Sequence, residues 1–186
     1  MIRKFAIDDF EEVLTIHKIC FESFSFDYGK YMDTYKKFFS AERTYVAEAD
    51  NKIVGAACFS LLNDSFQIED GLKNRLEYYI LGINNPVYTT KIFEPYQHPF
   101  STINDSDIVN TSCFVLPEYR RRHIGMRLTL ERILRAKECG SAQVFVDCWE
   151  GGNSSKLYSS LGFIPIARKG PSYPDGSCAI IMGKKL

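Results

Sequence analysis

The stretch that most constrains this 186-residue chain runs from Pro117 to Leu128 and reads PEYRRRHIGMRL. An apolar, strand-like run from Ile108 to Val115 leads into it, and apolar residues at helical spacing follow it. The pattern predicts a strand, a tight turn and a helix. Three arginines lie where the turn becomes the helix, next to the free N–H groups and partial positive charge of the helix N-terminus. Such a corner is suited to binding a polyanion such as a pyrophosphate.

This segment resembles motif A of the GCN5-related N-acetyltransferases (the GNAT family), which bind acetyl-CoA. In that motif a Gln or Arg is followed by two residues, a Gly, one residue and a Gly or Ala. Arg120 takes the first place and Gly125 the last, while His123 replaces the middle glycine. If the backbone at His123 needs a positive φ, histidine adopts that conformation less readily than glycine.

A second match, LYSSLGF from Leu157 to Phe163, resembles the end of the family's motif B. By this resemblance Tyr158 takes the position that protonates the departing CoA thiolate. The family usually has an Asn seven residues before this tyrosine; Gly151 stands there, and Asn153 lies two positions later. The order and spacing of the two motifs, with a predicted strand from Gln143 to Trp149 between them, are those of the family.

The resemblance implies an α/β (α+β) fold in a single domain over residues 1–186, with helices on both faces of a mostly antiparallel sheet. Two central parallel strands, ending at Val115 and Trp149, would splay into a V that receives acetyl-CoA. Backbone groups at the end of the first strand would pair with the pantetheine amides, and the arginine turn would hold the pyrophosphate. The implied contacts with acetyl-CoA are Phe114, Val115, Arg120, Arg121, Arg122, His123, Ile124, Gly125, Met126, Asn153 and Tyr158.

Local sequence patterns predict the secondary structure of the N-terminal part of the chain. Ile2 to Ile7 is a first strand, and Asp8 is a helix N-cap with Glu11 three residues later, as in a capping box. His17 lies on the apolar face of this helix, where a hydrogen-bonded core histidine is favoured over a general base. A short helix from Tyr31 to Phe39 comes next. Two strands, 44–48 and 53–61, then form a hairpin across the turn Ala-Asp-Asn-Lys.

An insertion of about 45 residues, 63–107, separates the third and fourth strands. It holds a predicted helix from about Ile68 to Leu81 and an irregular segment, Asn84 to Thr102, with three prolines. A long connection of this kind is often a functional loop, which here would cover the acceptor side of the cleft. A packing or dimerisation appendage is equally compatible with the sequence, so a homodimer stays open.

The C-terminal part is predicted to close the sheet. Gly140 is a C-cap for the long helix, and a short helix from Asn153 to Leu161 ends at Gly162. Two strands, Phe163 to Arg168 and Ser177 to Met182, form an antiparallel pair across a loop rich in glycine and proline.

Composition narrows the function classes. Apolar residues make up 45% of the chain, and its 23 basic and 23 acidic residues cancel, which argues against a nucleic-acid binder. An apolar signal core and a run of membrane-spanning length are both missing, so we expect a cytoplasmic protein that does not bind a membrane. The six scattered cysteines have no metal-ligand spacing and are expected to be reduced, with no metal bound.

The leading interpretation is an acetyl-CoA-dependent N-acetyltransferase that moves an acetyl group to a primary amine of a small molecule or peptide by direct attack. The alternative is a non-catalytic CoA-binding or regulatory module with the same fold. The sequence singles out no general base. Candidates near the motif A strand are expected to be exposed surface residues by default; they are Asp105, Asp107, Glu118, His98 and His123.

Overall fold

The computed structural model describes residues 1–24, 27–62, 64, 76, 80–81, 93–173 and 175–186. The strands are β1 (Ile2–Lys4), β2 (Thr44–Ala49), β3 (Lys52–Leu61), β4 (Phe93–Pro95), β5 (Ile108–Val115), β6 (Gln143–Trp149), β7 (Ile164–Lys169) and β8 (Ala179–Lys185). The helices with described bounds are α1 (Phe10–Cys20), α2 (Met32–Phe38), α3 (Ile124–Glu138) and α4 (Asn153–Ser160). The predicted mixed α/β class is confirmed.

Contacts within the chain define two compact units. The first contains Met1–Ser60 and Asn110–Arg135, and the second contains Leu61–Val109 and Ala136–Leu186. Strand β5 therefore starts in the second unit and continues in the first from Asn110 onward. Among the helices and strands, the first unit holds α1, α2 and most of α3, and the second holds α4.

The first unit is built on an antiparallel hairpin. Strands β2 and β3 pair across the two-residue turn Asp50–Asn51, whose φ values are 51° and 58°. Two adjacent positive φ values are those of a type I′ turn, which Asp and Asn tolerate and which matches the twist of a hairpin. The predicted hairpin is confirmed. Strand β1 pairs with β2, and β5 lies beside β3, where Leu116 N donates to Val54 O at 2.9 Å.

The predicted N-cap at Asp8 is wrong, because the next residue takes the capping role. Asp9 accepts a hydrogen bond from Ala6 N at 2.7 Å, which closes a short 3₁₀ turn, Ile7–Asp9, before α1. The same carboxylate accepts hydrogen bonds from both terminal nitrogens of Arg3, at 2.6 and 2.9 Å. A bidentate arginine and a backbone N–H together satisfy the Asp9 carboxylate, whereas Asp8 is exposed to solvent.

A buried arginine connects α3 to the strands of the first unit. Arg132 is fully buried, and its Nη1 atom donates to Cys58 O at 3.2 Å and to Ser112 O at 3.0 Å. Its Nη2 atom donates to the hydroxyl of Thr129 on the same helix. Buried carbonyl groups need partners, and Arg132 supplies them to β3 and β5 at once.

The second unit contains the strand order β6-β8-β7-β4, in which each neighbouring pair is antiparallel. The predicted closing pair near the C-terminus is thus confirmed as β7 and β8. The prediction of an irregular segment over 84–102 is wrong for Phe93–Pro95, which pairs with β7 as an edge strand. Proline is tolerated there because an edge strand needs no donor on its outer side.

The core of the second unit contains side chains from the insertion as well as from the sheet. Phe100 lies 5.7 Å from Phe145, ring centroid to ring centroid, and both are buried with Ile166 and Ile181. At Gly183 a Cβ atom would lie 2.7 Å from the Phe100 ring, so this close packing needs glycine. The predicted helix 68–81 falls mostly outside the described residues; of it, Leu76, Ile80 and Leu81 are described, and Leu76 belongs to this core, with Ile80 packed against it.

Helix ends follow the predicted glycines. Gly140 after α3 and Gly162 after α4 have φ values of 71° and 81°, the left-handed conformation of a C-cap.

In the described part of the chain, no helix is long and apolar enough to cross a membrane. All six cysteines lie in that part, and each is a free thiol.

Candidate functional site

The turn before α3 has a backbone arrangement suited to anions. After a 3₁₀ turn, Pro117–Tyr119, the φ values of Arg121 and His123 are 64° and 58°. Left-handed residues alternating with ordinary ones turn successive N–H groups toward a common side. His123 therefore has the positive φ that the sequence analysis raised as a condition, and this conformation suits glycine better than histidine.

Helix α3 adds free donors to this turn. Arg127 N donates to His123 O at 3.1 Å, which is the first i→i−4 hydrogen bond of the helix. The N–H groups of Ile124, Gly125 and Met126 precede that bond and have no helical partner. They lie at the positive end of a 15-residue helix.

The three arginines of this turn have different surroundings. Arg120 Nε donates to Val115 O at 3.0 Å, while the guanidinium of Arg122 lies 5.1 Å from the centre of the Tyr119 ring. All three side chains are exposed, as is His123. Exposed arginines at a helix N-terminus fit a pyrophosphate.

The backbone groups at the end of β5 are divided between the two sides of the strand. Leu116 N donates to Val54 O, and backbone groups alternate sides along a strand, so those of Phe114 point toward β3 and those of Val115 point away. The pairing of Phe114 and Val115 with the pantetheine amides stays a prediction. Val115 keeps an outward N–H, but its carbonyl already accepts from Arg120.

Glycine makes the close approach of β3 to β5 possible. A Cβ atom on Gly55 would lie 2.6 Å from Phe114 O and 3.1 Å from Val115 Cα. Any side chain at this position would push the two strands apart where β5 meets the arginine turn. Gly55 gave no signal in the sequence beyond lying in an apolar strand.

The side chain of Phe114 belongs to an aromatic cluster around His17. The imidazole centre lies 5.1 Å from the Phe114 ring and 4.5 Å from the Phe21 ring. Its Nδ1 atom is 2.8 Å from the hydroxyl of Tyr28, and the side chain is 5% exposed. Burial lowers the pKa of His17 to about 4. His17 is thus a hydrogen-bonded core histidine, the interpretation that the sequence favoured.

This burial predicts an acid-sensitive stability. The folded state keeps His17 neutral down to about pH 4, whereas the unfolded chain binds a proton near pH 6.5. His17 therefore leaves stability intact above pH 6.5 and lowers it as the pH falls. Relative to His17→Phe, the wild type should lose about 2 kcal/mol more between pH 7 and pH 5. Urea titrations at both pH values measure the difference, and equal losses in the two proteins would contradict it.

The residues predicted from motif B lie in the second unit. Tyr158 on α4 is 4% exposed, and its ring lies 5.1 Å from that of Phe163. Asn153 is the first residue of α4 and is exposed, after the N-cap Gly152. Gly151, which stands at the family's asparagine position, has a φ value of 71°. An asparagine at this position would have to adopt a left-handed backbone.

The candidate bases fall into two groups. Asp105, Glu118 and His123 are exposed, as expected, and His98 is half-buried. Asp107 was expected on the surface, and this is wrong: its side chain is fully buried and its two oxygens accept bonds from Asn104, Ala142 and Gln143. A carboxylate that accepts from five donors is a structural group and has no lone pair placed for an amine.

The strained backbone at His123 predicts a gain from glycine. A left-handed L-residue costs about 1–2 kcal/mol, and glycine removes this cost while adding some unfolded-state entropy. His123→Gly should therefore raise the free energy of unfolding by about 0.5–1 kcal/mol. Arg122→Gly in the same turn has no positive φ to relieve and should be destabilising. A loss of stability in both variants, measured by urea unfolding, would argue against strain at His123.

Comparison with known proteins identifies relatives of this arrangement. The model of the acetyltransferase (GNAT) family matches residues 10–163. A comparison with curated proteins gave no match.

Solved structures share the fold at low sequence identity. A GCN5-related N-acetyltransferase from Kribbella flavida has a TM-score of 0.68 at 16% identity, over 100% of this chain and 97% of that one. The yncA acetyltransferase from Salmonella typhimurium, solved with its cofactor acetyl-CoA, has a TM-score of 0.65 at 16% identity, over 100% and 93%. A ribosomal-protein-alanine N-acetyltransferase from Brucella melitensis gives 0.63 at 18% identity, over 100% and 99%.

Proposed function

Because this chain belongs to the acetyltransferase (GNAT) family, we propose that it transfers an acetyl group from acetyl-CoA to a primary amine of a small molecule or peptide. The observation that carries the proposal is the turn before α3. There, two left-handed residues, three exposed arginines and a helix N-terminus meet within seven residues, Arg120 to Met126. Such a turn, which follows the end of β5, suits a diphosphate.

Each group of the turn has a role in this proposal. The N–H groups of Ile124, Gly125 and Met126 would donate to the pyrophosphate oxygens, and Arg121 would add a charge. The exposed His123 contributes its backbone N–H, which does not depend on its side chain. Arg120 holds the carbonyl of Val115, so it supports the strand end beside the phosphates.

The chemical step needs placement and two proton transfers. The thioester of acetyl-CoA supplies the acyl group. Val115 N–H, which points away from β3, would donate to the carbonyl oxygen of that acyl group and so stabilise negative charge there. The amine attacks in its neutral form, and its nitrogen loses a proton, directly or through water, as the C–N bond forms and the C–S bond breaks. The hydroxyl of Tyr158 would give a proton to the leaving sulfur.

A non-catalytic CoA-binding module remains the second candidate function. Its support is that the surroundings of four of the five candidate bases do not mark a base: Asp107 is used structurally, and Asp105, Glu118 and His123 are exposed. Exposure is the default for such side chains and does not mark a base.

The test combines binding with turnover. Acetyl-CoA at a hundredfold excess over its dissociation constant should raise the free energy of unfolding by about 2.7 kcal/mol, seen as a rise in the thermal midpoint. A panel of amines, with release of free thiol as the readout, then asks for transfer. A midpoint rise without transfer to any amine would favour the binding module, and no rise at millimolar acetyl-CoA would contradict both functions.

Tyr158→Phe separates a proton donor from a packing residue. If the hydroxyl protonates the thiolate, kcat should fall by about 10²–10⁴-fold, the usual contribution of general acid catalysis. The affinity for acetyl-CoA should stay nearly constant, since the ring is kept. Tyr31→Phe, which removes a tyrosine hydroxyl in the first unit, is the control. Unchanged kcat would assign Tyr158 a packing role only.

A further inference from the structure

The single tryptophan of the sequence lies at the exposed end of a strand in the second unit. Trp149 is the last residue of β6 and is 43% exposed. Its ring stacks on the ring of Tyr173, in the loop between β7 and β8, with ring centroids 5.6 Å apart and planes inclined by 30°. Tryptophan and tyrosine rings are enriched at binding interfaces, because they offer a large contact area with few rotatable bonds.

The backbone around the two rings holds them in place. Gly152 N donates to Trp149 O at 3.3 Å, and a Cβ atom on Gly152 would lie 3.4 Å from Trp149 Cγ. The glycine backbone is therefore packed against the base of the indole. In the other loop, Tyr173 N donates to Ser177 O at 3.3 Å, and Gly176 N donates to Tyr173 O at 2.9 Å. A pair fixed in this way loses little freedom when a ligand binds.

Trp149 points away from the helix that follows it. The neighbouring Cys148 thiol forms a side-chain hydrogen bond with Ser154 of α4, and successive side chains of a strand point to opposite faces. Helix α4 carries Tyr158, the proposed proton donor. A ligand stacked on Trp149 would thus lie on the face of β6 opposite to α4 and would not displace this helix.

The face of β6 that carries Trp149 is covered at one end and open at the other. Phe145 is fully buried, and its ring lies 5.7 Å from that of Phe100. Two residues later Asp147 is half-buried, and two residues after that Trp149 is exposed. The open part, from Asp147 to Trp149, is about 7 Å long, which suits a small molecule better than a long peptide.

A carboxylate lies on this open part. Asp147 has about four lone-pair sites on its two oxygens, so it can accept from an ammonium group beside other partners. The opposite charge is farther away by backbone position: Lys169 pairs with Ala179, which pairs with Trp149, so Lys169 lies two strands or about 10 Å from the tryptophan. Next to the ring pair, this face is therefore complementary to a cation.

We propose that the Trp149–Tyr173 pair binds the acceptor, and that the acceptor is a primary amine carrying an aromatic ring on a short alkyl chain. This inference rests on the proposed function and names its substrate class. The ring of the acceptor would continue the stack on Trp149, and Asp147 would attract its ammonium group. Trp149 is then a specificity residue, and Tyr173 is a positioning residue.

The need for a neutral nitrogen favours an aromatic ring over a second cation on the tryptophan. An ammonium group held on an indole face by a cation–π contact stays charged, whereas the nitrogen that attacks the thioester is neutral. In a monoamine, the group that rests on Trp149 must therefore be the rest of the molecule. A flat ring fits a flat, exposed indole that is already stacked on its neighbour.

Phenethylamine and cyclohexylethylamine test the proposal, because they share one carbon skeleton and differ only in the aromaticity of the ring. With acetyl-CoA as donor and free thiol as readout, kcat/KM should be about three- to tenfold higher for phenethylamine. Binding gives a second readout, since all tryptophan fluorescence comes from Trp149. In the presence of CoA, which cannot transfer an acetyl group, phenethylamine should change this fluorescence with the lower dissociation constant of the two amines.

Variants of the two rings separate stacking from packing. Trp149→Leu keeps an apolar side chain without a ring and should reduce the ratio of the two kcat/KM values to about one, whereas Trp149→Phe should keep most of it. Tyr173→Leu keeps the fluorescent residue and should lower the ratio about twofold. Tyr96 is another tyrosine of the second unit and is 36% exposed. Tyr96→Leu is the matched control and should leave the ratio unchanged.

The outcomes separate this proposal from the proposed function. Equal kcat/KM for the two amines in the wild type, or an equal loss for both in Trp149→Leu, would overturn the aromatic acceptor and leave the transferase standing. So would acetylation of other amines but of neither of these two. Transfer to no amine at all would overturn both proposals. A ratio lost in Trp149→Leu and kept in Tyr96→Leu would support the site, because a general loss of stability would affect both amines alike.

Discussion

Replacing Asp107 by alanine is expected to lower the free energy of unfolding by about 3–5 kcal/mol, the usual range for breaking a buried charged network. The side chain is fully buried. Its Oδ1 accepts from Ala142 N and Gln143 N, each at 3.1 Å. Its Oδ2 accepts from Asn104 N at 2.8 Å and Gln143 Nε2 at 3.0 Å. Alanine would leave these donors buried without a partner, which costs more than the bonds themselves contribute.

Two further variants make the Asp107 result interpretable. Asp107→Asn keeps the shape and one oxygen but directs an NH₂ group at two donors, so it should still cost about 2 kcal/mol. Glu42→Ala removes an exposed carboxylate and should change stability by less than about 0.5 kcal/mol. Urea unfolding followed by circular dichroism gives all three values. If Asp107→Ala costs no more stability than Glu42→Ala, the buried hydrogen bonds of Asp107 do not stabilise the fold as proposed.

Reversing two charges in the arginine turn should abolish most acetyl-CoA binding. In the double variant Arg121→Glu, Arg122→Glu, two carboxylates replace the cations beside the free amides of α3. We expect the affinity to fall about a hundredfold, which is about 3 kcal/mol. Both side chains are exposed, so the fold should be kept, and the thermal midpoint without ligand should change little.

A matched double variant tests whether the change in net charge alone would explain such a loss of affinity. Lys36→Glu with Lys37→Glu makes the same change of charge on exposed residues of α2. This variant should weaken acetyl-CoA binding by less than about twofold, because salt screens the interaction between a ligand and distant exposed charges. Wild-type affinity should also fall with rising salt. A similar loss of acetyl-CoA affinity in both double variants would mean that the cofactor binds elsewhere, or that the arginines act only through long-range electrostatics.

Sequence patterns were sufficient where neighbours along the chain decide the structure. The Asp50–Asn51 turn, the β5-turn-α3 unit and the glycine C-caps follow from backbone preferences within a few residues. The left-handed His123 belongs to the same group, since a turn that needs a positive φ keeps it whatever residue is present. The Asp8 N-cap failed because Arg3, outside the local window, competes through Asp9.

Side chains that meet across long stretches of sequence were beyond the reach of patterns. Asp107 reads as a loop carboxylate, yet it holds Gln143, 36 residues later. Arg132 reads as a solvated helix residue, yet it is buried against Cys58, 74 residues earlier. The resemblance to the GNAT family and the turn before α3 could both be recognised from the sequence, because each depends on residues that lie close together along the chain. Only the tertiary structure decided which polar groups are buried and that the hydroxyl of Tyr119 reaches Asp50 in the β2–β3 turn, because both depend on which distant segments pack together.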